Sequence, residues 1–192
     1  MTQKASFTKE MIIKAAFDLT RELGWETATA RNIARKLGSS TMPIYSTVKS
    51  IEEIEKEVTE KAIEIMVEYQ KRPYTADPMV NIGVGYIVFA RDEHNLFRFL
   101  FILERPAVDG GLGADARKDF FMRSFGAVPG VGESMRGIPM DSMDSLILKS
   151  WIFMHGLAVM VNSGLLDLTD EKITNLVLEA GGAFYAAGGG ST

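Results

Sequence analysis

The sequence predicts an all-α protein, and three observations favour this fold class. Apolar residues recur at three- and four-residue steps in several segments, which is the spacing of one face of an α-helix. No segment shows the alternation of apolar and polar residues that is typical of a half-buried strand. Capping residues precede many of the periodic segments, and glycines end several of them. With 192 residues, 46% of them apolar, the chain can bury a sizeable core.

The first 50 residues predict three short helices. Thr8 is the expected N-cap of the first helix, which ends before Gly24 because glycine readily adopts the left-handed conformation. Thr29 is expected to cap the second helix, and Gly38 supplies the turn that follows it. Ser40 is the expected N-cap of the third.

The third helix presents mostly small polar residues. Pro43 falls in its first turn, where the missing N–H does little harm. Ile44 and Val48 are four residues apart and are expected to face the core. The residues then left on the outside are Ser40, Thr41, Met42, Tyr45, Ser46 and Thr47.

A long fourth helix and a helical body are predicted after residue 50. The fourth helix spans about 51–71, with Ile51, Ile54, Val58, Ala62, Ile65 and Tyr69 on its apolar stripe. The further predicted elements are, in order, a central apolar helix at 79–90, an aromatic-rich segment at 95–104, an amphipathic helix at 114–125, a loop at 126–139, a long helix capped by Asp141 or Ser142, and a last helix capped by Thr169.

Charge is distributed unevenly along the chain. The whole chain has a net charge of −4, yet residues 1–50 hold eight basic and four acidic residues, a net of +4. The remainder holds 13 basic and 21 acidic residues, a net of −8. We therefore predict a basic head at 1–50, an acidic helical regulatory and dimerisation body at 51–188, and a disordered tail at 189–192.

The second and third helices with their glycine turn have the pattern of a helix-turn-helix, whose second helix enters a DNA major groove. The third helix offers no Arg, Asn or Gln for bidentate base contacts, so we expect modest direct readout supplemented by water and DNA shape. Thr41 and Met42 are the candidates for base contacts. The complete set of predicted DNA-binding residues is Thr29, Arg31, Ser40, Thr41, Met42, Tyr45, Thr47 and Lys49, with Lys4 as a further phosphate anchor.

One helix-turn-helix covers about half a binding site, so this interpretation requires a homodimer on a palindromic operator. The last two helices are the candidates for its interface, because their glycines would allow close helix approach. The predicted interface residues are Gly156, Val159, Leu176 and Ala180.

Residues from Phe7 to Val58 resemble the tetracycline-repressor (TetR) family of bacterial transcription regulators. The matching pieces are Ile13 to Leu19, Gly24, Thr29, Ile33 to Gly38, Pro43 to Tyr45, and Val48 with Lys49. The resemblance implies phosphate contacts by Tyr45 and Lys49, and a repressor that a small molecule releases from its operator. It also implies an inducer pocket in the body. Its aromatic and flexible residues suggest an apolar or aromatic ligand, and the predicted lining is Tyr86, Phe89, Phe97, Phe101, Phe121, Phe125, Trp151, Met154 and His155, with Asn162 as a further polar anchor.

Two other classes of protein, an enzyme and a protein-binding adaptor, are the alternatives to a DNA-binding regulator. An enzyme is disfavoured because the chain has no cysteine, its two histidines lack metal-ligand spacing, and its glycine-rich segments lack the lysine of a phosphate loop. We expect no cofactor and no metal. An adaptor whose head binds a protein partner is the alternative to a DNA-binding regulator. The uncharged stretch 150–166 is too short for a membrane span and predicts a buried helix, and the N-terminus lacks an apolar signal core, which favours a cytoplasmic protein.

Overall fold

A computed structural model of the chain describes residues 7–103, 128–130 and 140–187, with side chains from residue 145 onwards in the last range. This part of the chain is all-α and contains no strand, so the predicted fold class is confirmed. Lys4, Phe121, Phe125, the helix predicted at 114–125 and the tail at 189–192 lie outside the described residues, as does most of the loop predicted at 126–139.

The described residues form eight α-helices. Their bounds are α1 Lys9–Leu23, α2 Ala30–Lys36, α3 Met42–Thr47, α4 Ile51–Gln70, α5 Pro78–Asp92, α6 His94–Phe97, α7 Met140–Asn162 and α8 Asp170–Ala187. A short 3₁₀ turn at Trp25–Thr27 follows α1, and a π-helical turn at Arg98–Ile102 follows α6.

The predicted helix caps of the N-terminal segment are confirmed at four positions. The Thr8 hydroxyl accepts a hydrogen bond from the Met11 amide, and the Thr29 hydroxyl accepts one from the Asn32 amide, each at 3.3 Å. Gly24 and Gly38 have φ angles of 94° and 63°, a region that favours glycine because a Cβ atom would be strained there.

Three local predictions are wrong. Thr41, not Ser40, precedes α3, and its backbone is already helical while its hydroxyl makes no capping bond. Asp141 and Ser142 lie inside α7, which begins at Met140. Ile51 is at the exposed start of α4, where the first turn of a helix has few neighbours to cover its apolar stripe.

The described residues divide into two compact units, and α4 runs from one into the other. The first unit comprises residues up to Glu64 and the segment that starts at Glu93. In it, the Arg21 guanidinium donates to both carboxylate oxygens of buried Glu93, at 2.8 and 2.5 Å, and Asn95 donates to the Arg21 carbonyl. These bonds fix α6 against the C-terminal end of α1.

The second unit comprises Ile65–Asp92 and the described residues from 128 onwards. Helix α5 packs against α7 and α8, and every residue from 81 to 90 is buried. Gly85 permits a close approach of α4, because a Cβ atom there would lie 2.6 Å from the Gln70 Cα. The predicted central apolar helix of the body is therefore confirmed.

The prediction that α7 is a buried helix is wrong for the described chain. The segment Ser145–Asn162 has the length and apolar composition of a membrane span, and only 28% of it is buried. Its inward residues are Met154, Leu157, Ala158, Val161 and Asn162, whereas Leu148, Ile152 and Gly156 are exposed on the other side. One face of α7 therefore lacks a covering partner within the described residues.

Candidate nucleic-acid interface

Helix α3 is buried against the head on one side and exposed on the other. Ile44 and Val48 are almost completely buried and attach the helix to the head, as predicted from their spacing. Met42 and Tyr45 are 70% and 68% exposed, which is unusual for side chains of this size. The helix thus offers two large side chains to a partner.

The hydroxyl groups of this region differ in their availability. Ser40 is exposed and Thr41 is half-buried. The Ser46 hydroxyl donates to the Pro43 carbonyl of its own helix at 3.0 Å. The Thr47 hydroxyl is directed inward and donates to the Phe7 carbonyl at 3.4 Å, so this predicted DNA-binding residue already has a bonding partner.

Four of the seven basic side chains that the structure describes in the head are neutralised by carboxylates of the first unit. The pairs are Lys9 with Glu53 and Glu57, Lys14 with Asp18, Arg21 with Glu93, and Lys36 with Glu22. Hydrogen bonds to Glu53 and Glu57 raise the pKa of the Lys9 ammonium. These four cations therefore contribute little positive potential.

Arg31, Arg35 and Lys49 are exposed and form no ion pair within the described ranges. Arg31 and Arg35 are four residues apart and share one flank of α2, whereas Lys36 is paired on the other flank. The unpaired cations thus occur on the helix before α3 and directly after α3.

Arg35 was absent from the predicted site. Its position four residues after Arg31 was a usable signal, but its lack of an acidic partner depends on which carboxylates the fold brings close. Lys49 is held at the start of α4, because its backbone amide donates to the Glu53 carboxylate at 2.8 Å. That bond and the Lys9 ammonium both lower the pKa of Glu53, with Lys9 the larger cause.

The predicted ligand-binding residues fall into both compact units. Phe97 and Phe101 belong to the first unit, where their ring centroids are 5.2 Å apart. The other described members belong to the second unit; among them Tyr86, Phe89 and Met154 are buried, and Trp151 and His155 are partly exposed.

Tyr86 and His155 form a polar pair inside the second unit. The Tyr86 hydroxyl and the His155 Nδ1 are 2.9 Å apart in a hydrogen bond between α5 and α7. Burial raises the pKa of Tyr86, and partial burial lowers the pKa of His155, so the pair is uncharged at neutral pH. Asn162, also named as a polar anchor, donates to the Ala90 carbonyl at 2.7 Å.

A cavity of about 290 Å³ lies in the first unit, beside the C-terminal end of α1. Its polar lining includes Glu26, His94, Asn95 and Arg98. None of the predicted ligand-binding residues contributes to its described lining. The site that the sequence predicts for an apolar ligand is therefore a different part of the molecule.

The four predicted interface residues lie on α7 and α8. Gly156 is exposed, and Val159, Leu176 and Ala180 are half-buried. A Cβ atom on Gly156 would meet no atom within 4 Å, so no packing within the described chain accounts for a glycine at this helical position.

Comparison with curated proteins finds a protein that is similar over most of the chain. The chain is 22% identical over 185 residues to an uncharacterized HTH-type transcriptional regulator of Mycobacterium tuberculosis. The similarity covers 93% of this chain and 82% of the relative, so it extends over the head and the body alike. No protein-family profile matches the chain.

Proposed function

We propose that this protein is a DNA-binding transcriptional regulator of the tetracycline-repressor type. The observation that carries the proposal is the outward surface of α3, with Met42 and Tyr45 exposed and three unpaired cations on the neighbouring segments. The similarity to a helix-turn-helix transcriptional regulator over 93% of the chain supports the coarser assignment, a transcriptional regulator.

The chemistry of the exposed side chains determines which part of the DNA each of them would contact. Arg31, Arg35 and Lys49 would contact phosphates, because unpaired surface cations displace the counterions of DNA. Met42 is suited to contact a thymine methyl group, and the Tyr45 hydroxyl can donate to a phosphate oxygen. The head therefore relies on backbone contacts and DNA shape more than on bidentate base recognition.

The protein acts as a homodimer on a palindromic operator in this proposal. One helix-turn-helix reads a half-site, and two-fold symmetry places a second head about 34 Å along the duplex. The outward face of α7, on which Leu148, Ile152 and Gly156 are exposed, provides the surface through which the two chains associate. A membrane is the less suitable cover because Lys149 lies on this exposed side.

A small apolar or aromatic ligand would act through the second unit and release the protein from its operator, as a repressor. The buried aromatic residues Tyr86 and Phe89 support an apolar site, and Tyr86 with His155 adds a polar group to it. Such a ligand changes DNA affinity only if it binds the two conformations with different affinity. A cytoplasmic location follows from this role.

The exposed apolar groups of α3 also favour one rival function, an adaptor whose head binds a protein. The dependence of the binding constant on salt concentration distinguishes the two functions. DNA binding through several phosphate contacts should weaken steeply with added salt, because counterion release makes the logarithm of the binding constant fall linearly with the logarithm of salt concentration. If Met42 and Tyr45 instead bind an apolar protein surface, the binding constant should change little with added salt.

The direct test is an in vitro selection of binding sites from random duplex DNA with the full-length protein. We expect enrichment of a two-fold symmetric site, followed by a salt titration on that site and on a scrambled duplex of equal length. A folded dimer that enriches no site would contradict the regulator and favour the adaptor.

A further inference from the structure

Three amide side chains are buried in the described part of the second unit, and one of them differs from the other two. Asn162 donates to the Ala90 carbonyl at 2.7 Å. Asn81 accepts from the Thr75 amide at 2.7 Å and donates to the Thr75 carbonyl at 3.0 Å. Gln70 is fully buried, yet its amide oxygen and amide nitrogen have no hydrogen-bond partner in the described structure.

An unpartnered amide at this depth is a rare feature of folded proteins. Buried side-chain polar atoms nearly always have a partner, because an unmet donor or acceptor carries its full desolvation cost. The Gln70 side chain offers one acceptor and two donors, all unused. Asn81 and Asn162 show that the same unit satisfies its other buried amides. Gln70 is therefore the buried amide of this unit that could bond a group from outside the chain, and the buried Tyr74 hydroxyl also has no hydrogen-bond partner in the described structure.

The surroundings of Gln70 define what that partner can be. The preceding residue, Tyr69, packs edge-on against Phe89 with ring centroids 5.8 Å apart. The buried polar residues of the described second unit are amides, and none of its buried residues carries a formal charge. The Arg72 guanidinium lies 3.6 Å from the Tyr69 ring centroid but belongs to an exposed residue, so a charged ligand group at the depth of Gln70 would lose its hydration without gaining a buried counter-charge.

Gln70 also occupies a position in the fold that cannot adjust freely. It is the last residue of α4, and its backbone lies against α5 at Gly85. A Cβ atom on Gly85 would lie 2.6 Å from the Gln70 Cα and 2.7 Å from the Gln70 backbone nitrogen. The packing at this crossing therefore fixes the position of the Gln70 backbone relative to α5.

We propose that Gln70 is the polar anchor of a binding site for an uncharged small molecule that has a hydrogen-bond donor and an acceptor side by side on an apolar body. Primary amides, lactams and protonated carboxylic acids have this arrangement. The inference deepens the ligand-responsive part of the proposed function and rests on it. It assigns the ligand's chemical class and a recognition residue at the end of α4.

The test uses two probes of nearly equal shape, benzamide and acetophenone, in which a methyl group replaces the amide NH₂. Binding to the full-length protein without DNA is measured by calorimetry for wild type and for Gln70→Met, which has similar volume and no amide. Wild type should prefer benzamide by about five- to tenfold, the equivalent of one added hydrogen bond. Gln70→Met should lose that preference.

Thermal unfolding without any probe supplies a second readout and a matched control. Gln70→Met should keep or raise Tm, by up to about 2–4 °C, because it removes a buried amide that has no partner. Asn162→Leu should lower Tm, because it leaves the Ala90 carbonyl without its donor.

Absence of a benzamide preference in wild type would overturn the proposal. A preference that persists in Gln70→Met would also overturn it, as would a fall in the Tm of that variant comparable to Asn162→Leu. Binding of the selected DNA is measured separately. A protein that prefers benzamide through Gln70 but binds no DNA would retain this inference and refute the regulator.

Discussion

At the scale of single residues, the DNA-binding proposal depends on which cations remain unpaired. Arg35 and Lys14 are both exposed on helices of the head, but Lys14 is bonded to Asp18 at 2.8 Å, whereas Arg35 has no acidic partner among the described side chains. Their substitution by alanine therefore removes the same formal charge from different electrostatic surroundings. This makes them a matched pair.

We predict that Arg35→Ala weakens binding to the selected duplex and reduces the slope of log K against log salt by about one per protein copy. Lys14→Ala should leave the slope close to that of wild type. Binding is measured by fluorescence anisotropy across a salt series. Equal slopes for the two variants would contradict a phosphate contact by Arg35.

The polar pair inside the second unit predicts a pH dependence. Burial lowers the pKa of His155 from its ordinary value of 6.5, so the unfolded chain takes up this proton at a higher pH than the folded chain does. The stability that neutral His155 contributes is therefore complete above pH 6.5 and is lost as the pH falls below it.

Comparison with His155→Gln isolates this contribution, because glutamine keeps an acceptor for the Tyr86 hydroxyl but does not titrate. We expect the free energy of unfolding, measured in urea, to fall more steeply below pH 6.5 in wild type than in His155→Gln. Carboxylates elsewhere affect both proteins alike. Parallel curves would show that His155 titrates normally in the folded state.

At the scale of elements, the sequence predicted helices better than it predicted their contacts. Thr8, Thr29 and Gly38 act locally, through hydrogen bonds and backbone angles within a few residues, so the ends of α1 and α2 were predictable. The π-helical turn at Arg98–Ile102 was not, because its run of apolar residues has no helical periodicity. The unpartnered Gln70 amide depends on tertiary packing and leaves no pattern in the sequence.

The crossing of α4 and α5 gives a prediction at this scale. Gly85→Ala should lower the free energy of unfolding by about 1–3 kcal/mol, because its Cβ atom would overlap the backbone at Tyr69 and Gln70 and force the helices apart. Gly182→Ala in α8 is the control, since a Cβ atom there meets nothing, the residue lies outside the proposed α7 interface, and alanine favours the helix by about 1 kcal/mol. Urea denaturation measures both. A tolerated Gly85→Ala would contradict a tight crossing.

At the scale of the whole molecule, the proposed homodimer places the outward face of α7 between the two chains. Leu148 and Ile152 are 53% and 61% exposed, one helical turn apart. They test association more cleanly than the predicted residues Val159 and Leu176, which are half-buried and contribute to the packing of their own chain. Polar substitution of the exposed pair leaves that internal packing intact.

We predict that the double variant Leu148→Glu, Ile152→Glu is monomeric in analytical ultracentrifugation, because two buried carboxylates would face their copies across the interface. Its helix content by circular dichroism should match wild type. Leu23→Glu, at a similarly exposed leucine of α1, should remain dimeric. A double variant that stays dimeric would place the interface elsewhere.

The same double variant also tests whether dimerisation is needed for tight binding of the operator. Each of its heads retains Arg31, Arg35, Lys49 and the α3 surface, so its contacts to a single half-site should be unchanged. The second head, however, would no longer be held at a high effective concentration beside the duplex, and affinity for the palindromic site should fall by about 10²–10⁴. Arg35→Ala has the opposite signature, weakening half-site and full-site binding while the protein stays dimeric. Full-site affinity that survives in a monomer would require each head to act independently, and a two-fold symmetric operator would then have no physical basis.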